Sequence, residues 1–108
     1  MNSAEKATEA LVYLQKHMPD TYVKYLEFTQ KLGETGGLEP KMLELILVGC
    51  AVMSQCDMCI SLHVQGAATA GASREEILQA ASMAVAMGGS PKLMYMKYVF
   101  EELDDLFD

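Results

Sequence analysis

Tryptophan is absent from this 108-residue chain, and phenylalanine and proline occur only three times each. A core with so few large rings has to be filled by Leu, Val, Ala and the flexible thioethers of nine methionines. Basic residues are also scarce. Eight Lys and Arg stand against fifteen Asp and Glu, a net charge of −7 with no basic stripe. That balance argues against a nucleic-acid partner, because phosphate binding draws most of its affinity from clustered cations. No long apolar run exists: Leu45 to Met53 is the longest, well short of the roughly 20 residues a bilayer-spanning helix needs. The start, Met1-Asn2-Ser3-Ala4-Glu5-Lys6, mixes charges and lacks the apolar segment of a secretory signal. From these absences a soluble, cytoplasmic chain with no membrane role is expected.

The length supports one modest core, so residues 1–108 are read as a single domain. Apolar residues make up 51% of it. A domain this small leaves a large share of its surface in water, so part of that apolar material is expected to face another copy of the chain. Methionines at helical spacing fit core or subunit interface better than a promiscuous partner groove.

Punctuation divides the chain into about six short helices and no strands, an all-α bundle. Ser3 is the expected cap of a first helix to about Lys16, with Ala7, Leu11 and Leu14 on one side. Pro19 breaks it. A second helix from about Asp20 carries Tyr22, Val23, Leu26 and Phe28 and is expected to end at a left-handed Gly33. The loop 33–37 is glycine-rich but matches no phosphate-binding pattern. Pro40 opens a third helix, whose apolar stripe is read as Leu43, Ile46, Leu47 and Cys50. A break at Ser54-Gln55 precedes a fourth helix from near Cys56 to Ala70-Gly71. Ser73-Arg74-Glu75-Glu76 reads as a capping box for a fifth, closed by Gly88-Gly89. Ser90-Pro91 is the expected cap of a sixth that runs toward Leu106, and the acids from Glu101 to Asp108 read as a solvated, frayed end.

The chemistry concentrates in Cys56-Asp57-Met58-Cys59-Ile60-Ser61-Leu62-His63. On a helix turning about 100° per residue, Cys59 lies about 60° and His63 about 20° from Cys56, so both thiols and the imidazole share a face. An imidazole or a helix N-terminus lowers a thiol's pKa, and a second thiol three residues on can close a disulfide. If the third and fourth helices are antiparallel, Glu44 lies about 15 Å back from their turn and His63 about 11 Å forward of Cys56, so the two can meet. A carboxylate on one imidazole nitrogen raises the basicity of the other, which can then take a proton from Cys59 directly or through water. Glu44, His63 and Cys59 thus form a candidate proton relay.

Glu44, eleven intervening residues, then Cys56-x-x-Cys59-x-x-x-His63 ahead of Ala70-Gly71-Ala72-Ser73, resembles the alkyl hydroperoxidase D-like family within the carboxymuconolactone decarboxylase superfamily, over roughly residues 20–100. The resemblance implies an all-helical subunit in trimers or hexamers, with a dithiol site near subunit contacts; no cofactor or metal is expected. It implies a peroxidase that reduces organic hydroperoxides, forms a Cys56–Cys59 disulfide and is re-reduced by an external dithiol such as a lipoyl domain. Cys59 would be the attacking thiolate, Cys56 the resolving thiol, and His63 with Glu44 the relay. The two cysteine roles can be exchanged, since Cys56 lies closer to the helix N-terminus. Decarboxylases of the superfamily lack the paired cysteines and are a poorer guide to this chain.

Other readings remain open from the residues. Cys56, Cys59, His63 and Glu44 make a four-ligand zinc set of acceptable chemistry, although structural zinc usually recruits a second Cys or His pair and only Cys50 and His17 are left. A haem attachment would need His directly after the second Cys, where Ile60 stands. The dithiol could also serve as the redox sensor of an oligomeric scaffold, or be inert. Cys50 is read as core, His17 as a helix-end cation, and Tyr95 and Tyr98 as packing rather than as the lining of a cleft.

Overall fold

The computed structural model describes residues 1–108 and contains six helices: α1 (Ser3–His17), α2 (Pro19–Glu34), α3 (Pro40–Met53), α4 (Asp57–Thr69), α5 (Arg74–Gly88) and α6 (Ser90–Phe107). Local chemistry sets most of the boundaries. Pro19 and Pro40 occupy first-turn positions, where their missing N–H costs nothing. The capping box of α5 is complete: Glu76 N–H donates to Ser73 Oγ at 3.1 Å, and Ser73 N–H donates to Glu76 Oε1 at 2.9 Å. Gly71 and Gly89 take positive φ where α4 and α5 end.

Three boundary expectations need correction. Asn2, not Ser3, caps α1, its side-chain oxygen accepting from Glu5 N–H at 2.8 Å. Ser3 instead donates from Oγ to Asp57 Oδ2 at 2.9 Å, tying the start of α1 to the start of α4. Gly33 lies inside α2 without a left-handed φ, and α2 stops near Thr35, whose hydroxyl donates to the Lys31 carbonyl. Gly89 rather than Ser90 is the cap residue of α6, and Ser90 makes no capping hydrogen bond.

Helices α3 to α6 close around one apolar cluster in which Val48, Val52, Ile60, Val64, Ile77 and Val99 are fully buried. The buried face of α3 is Leu45, Val48, Ala51 and Val52 rather than the stripe expected from spacing; Ile46 and Leu47 remain 47% and 40% exposed. From Met42 to Met53 this helix is apolar almost all round, so periodicity does not say which side turns inward. One polar side chain, Ser61, is buried within the core, and it donates to Glu102 Oε1 on α6 at 2.8 Å. Gln65 Nε2 donates to the same oxygen at 2.9 Å.

The acidic C-terminal segment is therefore not a frayed end. Glu102 receives those two bonds, Asp108 receives one from Arg74 Nη2 at 2.6 Å, and the helix persists to Phe107. Helix α2 differs from the rest. It has no buried residue, makes its substantial contacts with α1, and leaves Val23, Phe28 and Leu32 in water. No helix is long and apolar enough to cross a membrane.

Candidate dithiol site

The site is built on the α3–α4 hairpin, whose helices pack closely along their length. The turn between them is formed by paired backbone bonds. Gln55 N–H donates to the Val52 carbonyl at 3.0 Å, and Cys56 N–H donates to the Ala51 carbonyl at 3.3 Å. With Gln55 left-handed at φ 52°, this is a Schellman closure of α3. Cys56 then serves a second purpose as the N-cap of α4, in extended backbone, with its Sγ accepting from Cys59 N–H at 3.2 Å. One residue thus ends a helix and begins the next, which fixes where both sulfurs stand.

Cys56 and Cys59 are joined as a disulfide, with their Cα atoms 5.2 Å apart and both residues half-buried. Their position at a helix start is electrostatically useful, because the unpaired N–H groups and the positive end of the macrodipole favour a thiolate there once the bond is reduced.

One turn beyond Cys59, His63 Nδ1 lies 3.0 Å from Glu44 Oε2 on α3, each side chain 30% exposed. A carboxylate only accepts, so Nδ1 carries the hydrogen, and in the neutral imidazole that tautomer leaves the lone pair on Nε2. No hydrogen bond joins the ring to either sulfur in the disulfide form. The structure therefore brings Glu44 onto His63 and Cys56 onto Cys59, with the two pairs neighbouring along one helix.

Gly66 is a site residue that the sequence reading missed. A Cβ at this position would lie 2.6 Å from Glu44 Oε2 and 2.9 Å from its Cδ. The absent side chain is the seat of the carboxylate, next to the turn that carries His63. A glycine inside an otherwise regular helix, three residues after the imidazole, was the available signal, since such glycines mark close approach of another group.

The remaining candidates fall outside this cluster. Cys50 is exposed, contrary to the core reading, because α3 buries its opposite side; it lines an apolar groove of about 740 Å³ between α3 and α5 together with Met42, Ile46, Met53 and Met83. His17, in the last turn of α1, stacks on Tyr13 with ring centroids 4.3 Å apart. Tyr95 and Tyr98 pack against the core, 5.3 Å from one another. No three His, Cys, Asp or Glu side chains meet at a common point as a metal-ligand set.

The fold and this hairpin define an all-α protein with a Cys-x-x-Cys pair at a helix start beside an imidazole–carboxylate pair. The chain belongs to the carboxymuconolactone decarboxylase family, which it matches over residues 19–102. It is similar to the carboxymuconolactone decarboxylase family protein lpg0406 from Legionella pneumophila, with 34% identity, a TM-score of 0.89, and coverage of 98% of this chain and 95% of that one. A Burkholderia xenovorans LB400 structure described as a carboxymuconolactone decarboxylase has a TM-score of 0.73 over 91% of this chain and 80% of that one, and at 23% identity it speaks to fold alone. Among curated relatives, an uncharacterized protein of Cupriavidus necator is 33% identical over 68% of this chain, a stretch that spans 65% of the relative's own length. Uncharacterized protein 4 in the cox locus of Paracoccus denitrificans is 28% identical over 96% of this chain and 94% of that protein.

Proposed function

We propose that this chain is a thiol-dependent peroxidase that cycles through the Cys56–Cys59 disulfide. The observation that carries the reading is the placement of the two joined sulfurs at the N-terminus of α4, one turn from an imidazole held by a carboxylate. In the reduced protein, Cys59 loses its proton to His63 Nε2, directly or through one water, while Glu44 steadies the imidazolium. The thiolate attacks the outer oxygen of an organic hydroperoxide. The O–O bond breaks, the sulfur becomes a sulfenic acid, and the departing alkoxide takes the proton from His63 to leave as an alcohol. Cys56 then attacks the sulfenic sulfur, water is released and the disulfide forms.

An external dithiol, for which a lipoyl domain has the right chemistry, returns two electrons and two protons by thiol–disulfide exchange. The Cys59 N–H bond to Cys56 Sγ favours Cys56 as the leaving thiolate in that step, because a stabilised thiolate departs faster. The same division of labour keeps Cys59, nearer His63, as the attacking group. A homo-oligomer, trimer or hexamer, completes the proposal. Its support is the uncovered apolar surface on α2 and along the α3–α5 groove.

The test is intact-mass analysis with thiol counting before and after one equivalent of organic hydroperoxide, followed by turnover with a dithiol. The expected result is a two-proton mass loss mapping to Cys56–Cys59, reversed by dithiol, with a trappable sulfenic acid on Cys59 in Cys56→Ser. Disulfide formation without turnover would replace the enzyme with a redox sensor. Stoichiometric zinc with unreactive thiols would replace both.

A further inference from the structure

Two helices of this fold end in the same turn, built with different residues. After α4, Gly71 N–H donates to the Ala68 carbonyl at 3.0 Å and Ala72 N–H donates to the Ala67 carbonyl at 2.9 Å, with Gly71 at φ 98°. After α3 the same pair of bonds forms around Gln55, the one non-glycine residue with positive φ. Glycine takes this conformation without steric cost, whereas a residue with a Cβ is strained there. The strained choice sits immediately before Cys56 and the unstrained one sits where no chemistry follows.

The Gln55 side chain has a partner that Gly71 cannot have. Lys92 Nζ, from the first turn of α6, donates to Gln55 Oε1 at 2.6 Å. The lysine stem reaches it across Gly88, the last residue of α5. A Cβ there would stand 2.5 Å from Lys92 Cγ and 2.8 Å from Lys92 Cε, with Met53 Sδ at 3.1 Å. Three features from three parts of the chain therefore converge on the turn that caps the dithiol helix: a left-handed glutamine, a lysine on its amide oxygen, and a glycine that leaves room for the lysine.

We propose that Lys92 is a positioning residue for the dithiol, holding Gln55 left-handed so that Cys56 stays at the N-cap of α4, at closing distance from Cys59, with Gly88 as its seat. The inference rests on the redox reading of Cys56 and Cys59 given above. A held turn raises the effective concentration of one thiol at the other and so favours the disulfide, the same pre-organisation that makes an intramolecular step outrun a free one. The effect belongs to the redox equilibrium of the pair rather than to global stability, since the tether lies at the surface.

The experiment equilibrates the full chain in glutathione redox buffers and measures the equilibrium constant for Cys56–Cys59 disulfide formation, with thermal unfolding of the oxidised protein in parallel. In Lys92→Met the disulfide constant is expected to fall by about three- to tenfold, the range one net hydrogen bond supports, and Lys92→Arg is expected to restore most of it. Gln55→Gly relieves the left-handed strain yet removes the acceptor, so oxidised-state stability should hold or rise while the disulfide constant falls. Gly88→Ala should reproduce Lys92→Met, and the double variant should be no worse than either single one, because both remove the same contact. If Lys92→Met and Gln55→Gly both stay within twofold of the wild-type constant, the positioning role is overturned with the redox reading intact. If the wild-type pair shows no reversible disulfide at all, both fail.

Discussion

Helices α1 and α2 carry a cleaner division into apolar and polar faces than α3 and α4, yet all but one of the buried residues, Ala7, lie between Leu45 and Leu103. Of the half that looks made to pack, α2 is left in water and α1, seated on α4, fully buries only Ala7. A well-formed stripe says that a helix has apolar surface to cover, and nothing about which chain covers it. The α3–α6 half, apolar almost all round on α3, closes on itself and carries both the dithiol and the Glu44–His63 pair. The candidate site sits on the self-sufficient half, where packed neighbours fix each side chain.

The largest expected effect separates the halves by function. Cys59→Ser should abolish peroxide-dependent turnover, to the background of the uncatalysed reaction, whereas Val23→Ser on α2 should leave the hydroperoxide-driven mass change at Cys56–Cys59 in place. Intact-mass kinetics with one equivalent of hydroperoxide reads both. Equal losses would mean that the outer arm takes part in the reaction.

Next comes a stability contrast. Ile60→Ala opens a cavity in a fully buried position and should cost about 3 kcal/mol in denaturant unfolding. Phe28→Ala, 62% exposed, should cost less than about 0.5 kcal/mol when the protein is dilute. If Phe28→Ala instead lowers Tm by a similar amount and the shift depends on protein concentration, α2 is buried in an assembly. That outcome would relocate the second half of the core to the subunit interface and sharpen the comparison.

Glu44→Gln keeps the shape of the side chain and removes its charge, so the second-order rate with hydroperoxide should fall about a hundredfold, within the range of a lost acid–base contribution. Gly66→Ala should give a milder loss of about tenfold, because the carboxylate can shift while a new Cβ takes its seat. Added to Glu44→Gln, it should change little further, since both act on one contact. A fully additive pair, read in the same rate assay, would show that Gly66 matters for some other reason.

How far each part could be read from the sequence follows from the range of the interaction that made it. Prolines 19 and 40, the Ser73 capping box and the glycines at 71 and 89 act within a few residues, so helix number and order were legible. Helix arithmetic sufficed to set Glu44 opposite His63, since a hairpin leaves little choice once its turn is located. The buried side of α3 was not legible, because a helix apolar on every side offers no contrast. Nor was Gln55, whose left-handed backbone belongs to a residue with no preference for it, or Glu102, whose partners Ser61 and Gln65 sit a whole helix away in sequence. Contacts with high sequence separation and no compositional signature are visible only in the folded structure.

The smallest predicted effect concerns how the α3–α6 half holds together in acid. The self-sufficient half is latched by polar pairs between helices, Lys41 with Glu76 at 3.1 Å and Arg74 with Asp108 at 2.6 Å, while the ion pair of α2, Lys24 with Glu27, stays within that helix. The Ser73 N–H bond, seconded by Lys41, holds the Glu76 carboxyl below its usual range, and Arg74 does the same for Asp108. A carboxyl depressed in the folded state binds fewer protons than in the unfolded chain, so its contribution is present above the ordinary carboxylate range. It is lost as pH falls through the depressed folded value. Both groups face solvent, which keeps the contribution small. Glu76→Gln retains an oxygen for the Ser73 N–H but cannot titrate. Its Tm should therefore lie slightly below wild type at pH 7, with the gap closing as the solution is taken below the glutamate range. A gap that stays constant into acid would assign Glu76 to helix capping alone and leave Arg74–Asp108 as the pH-sensitive latch of the core half.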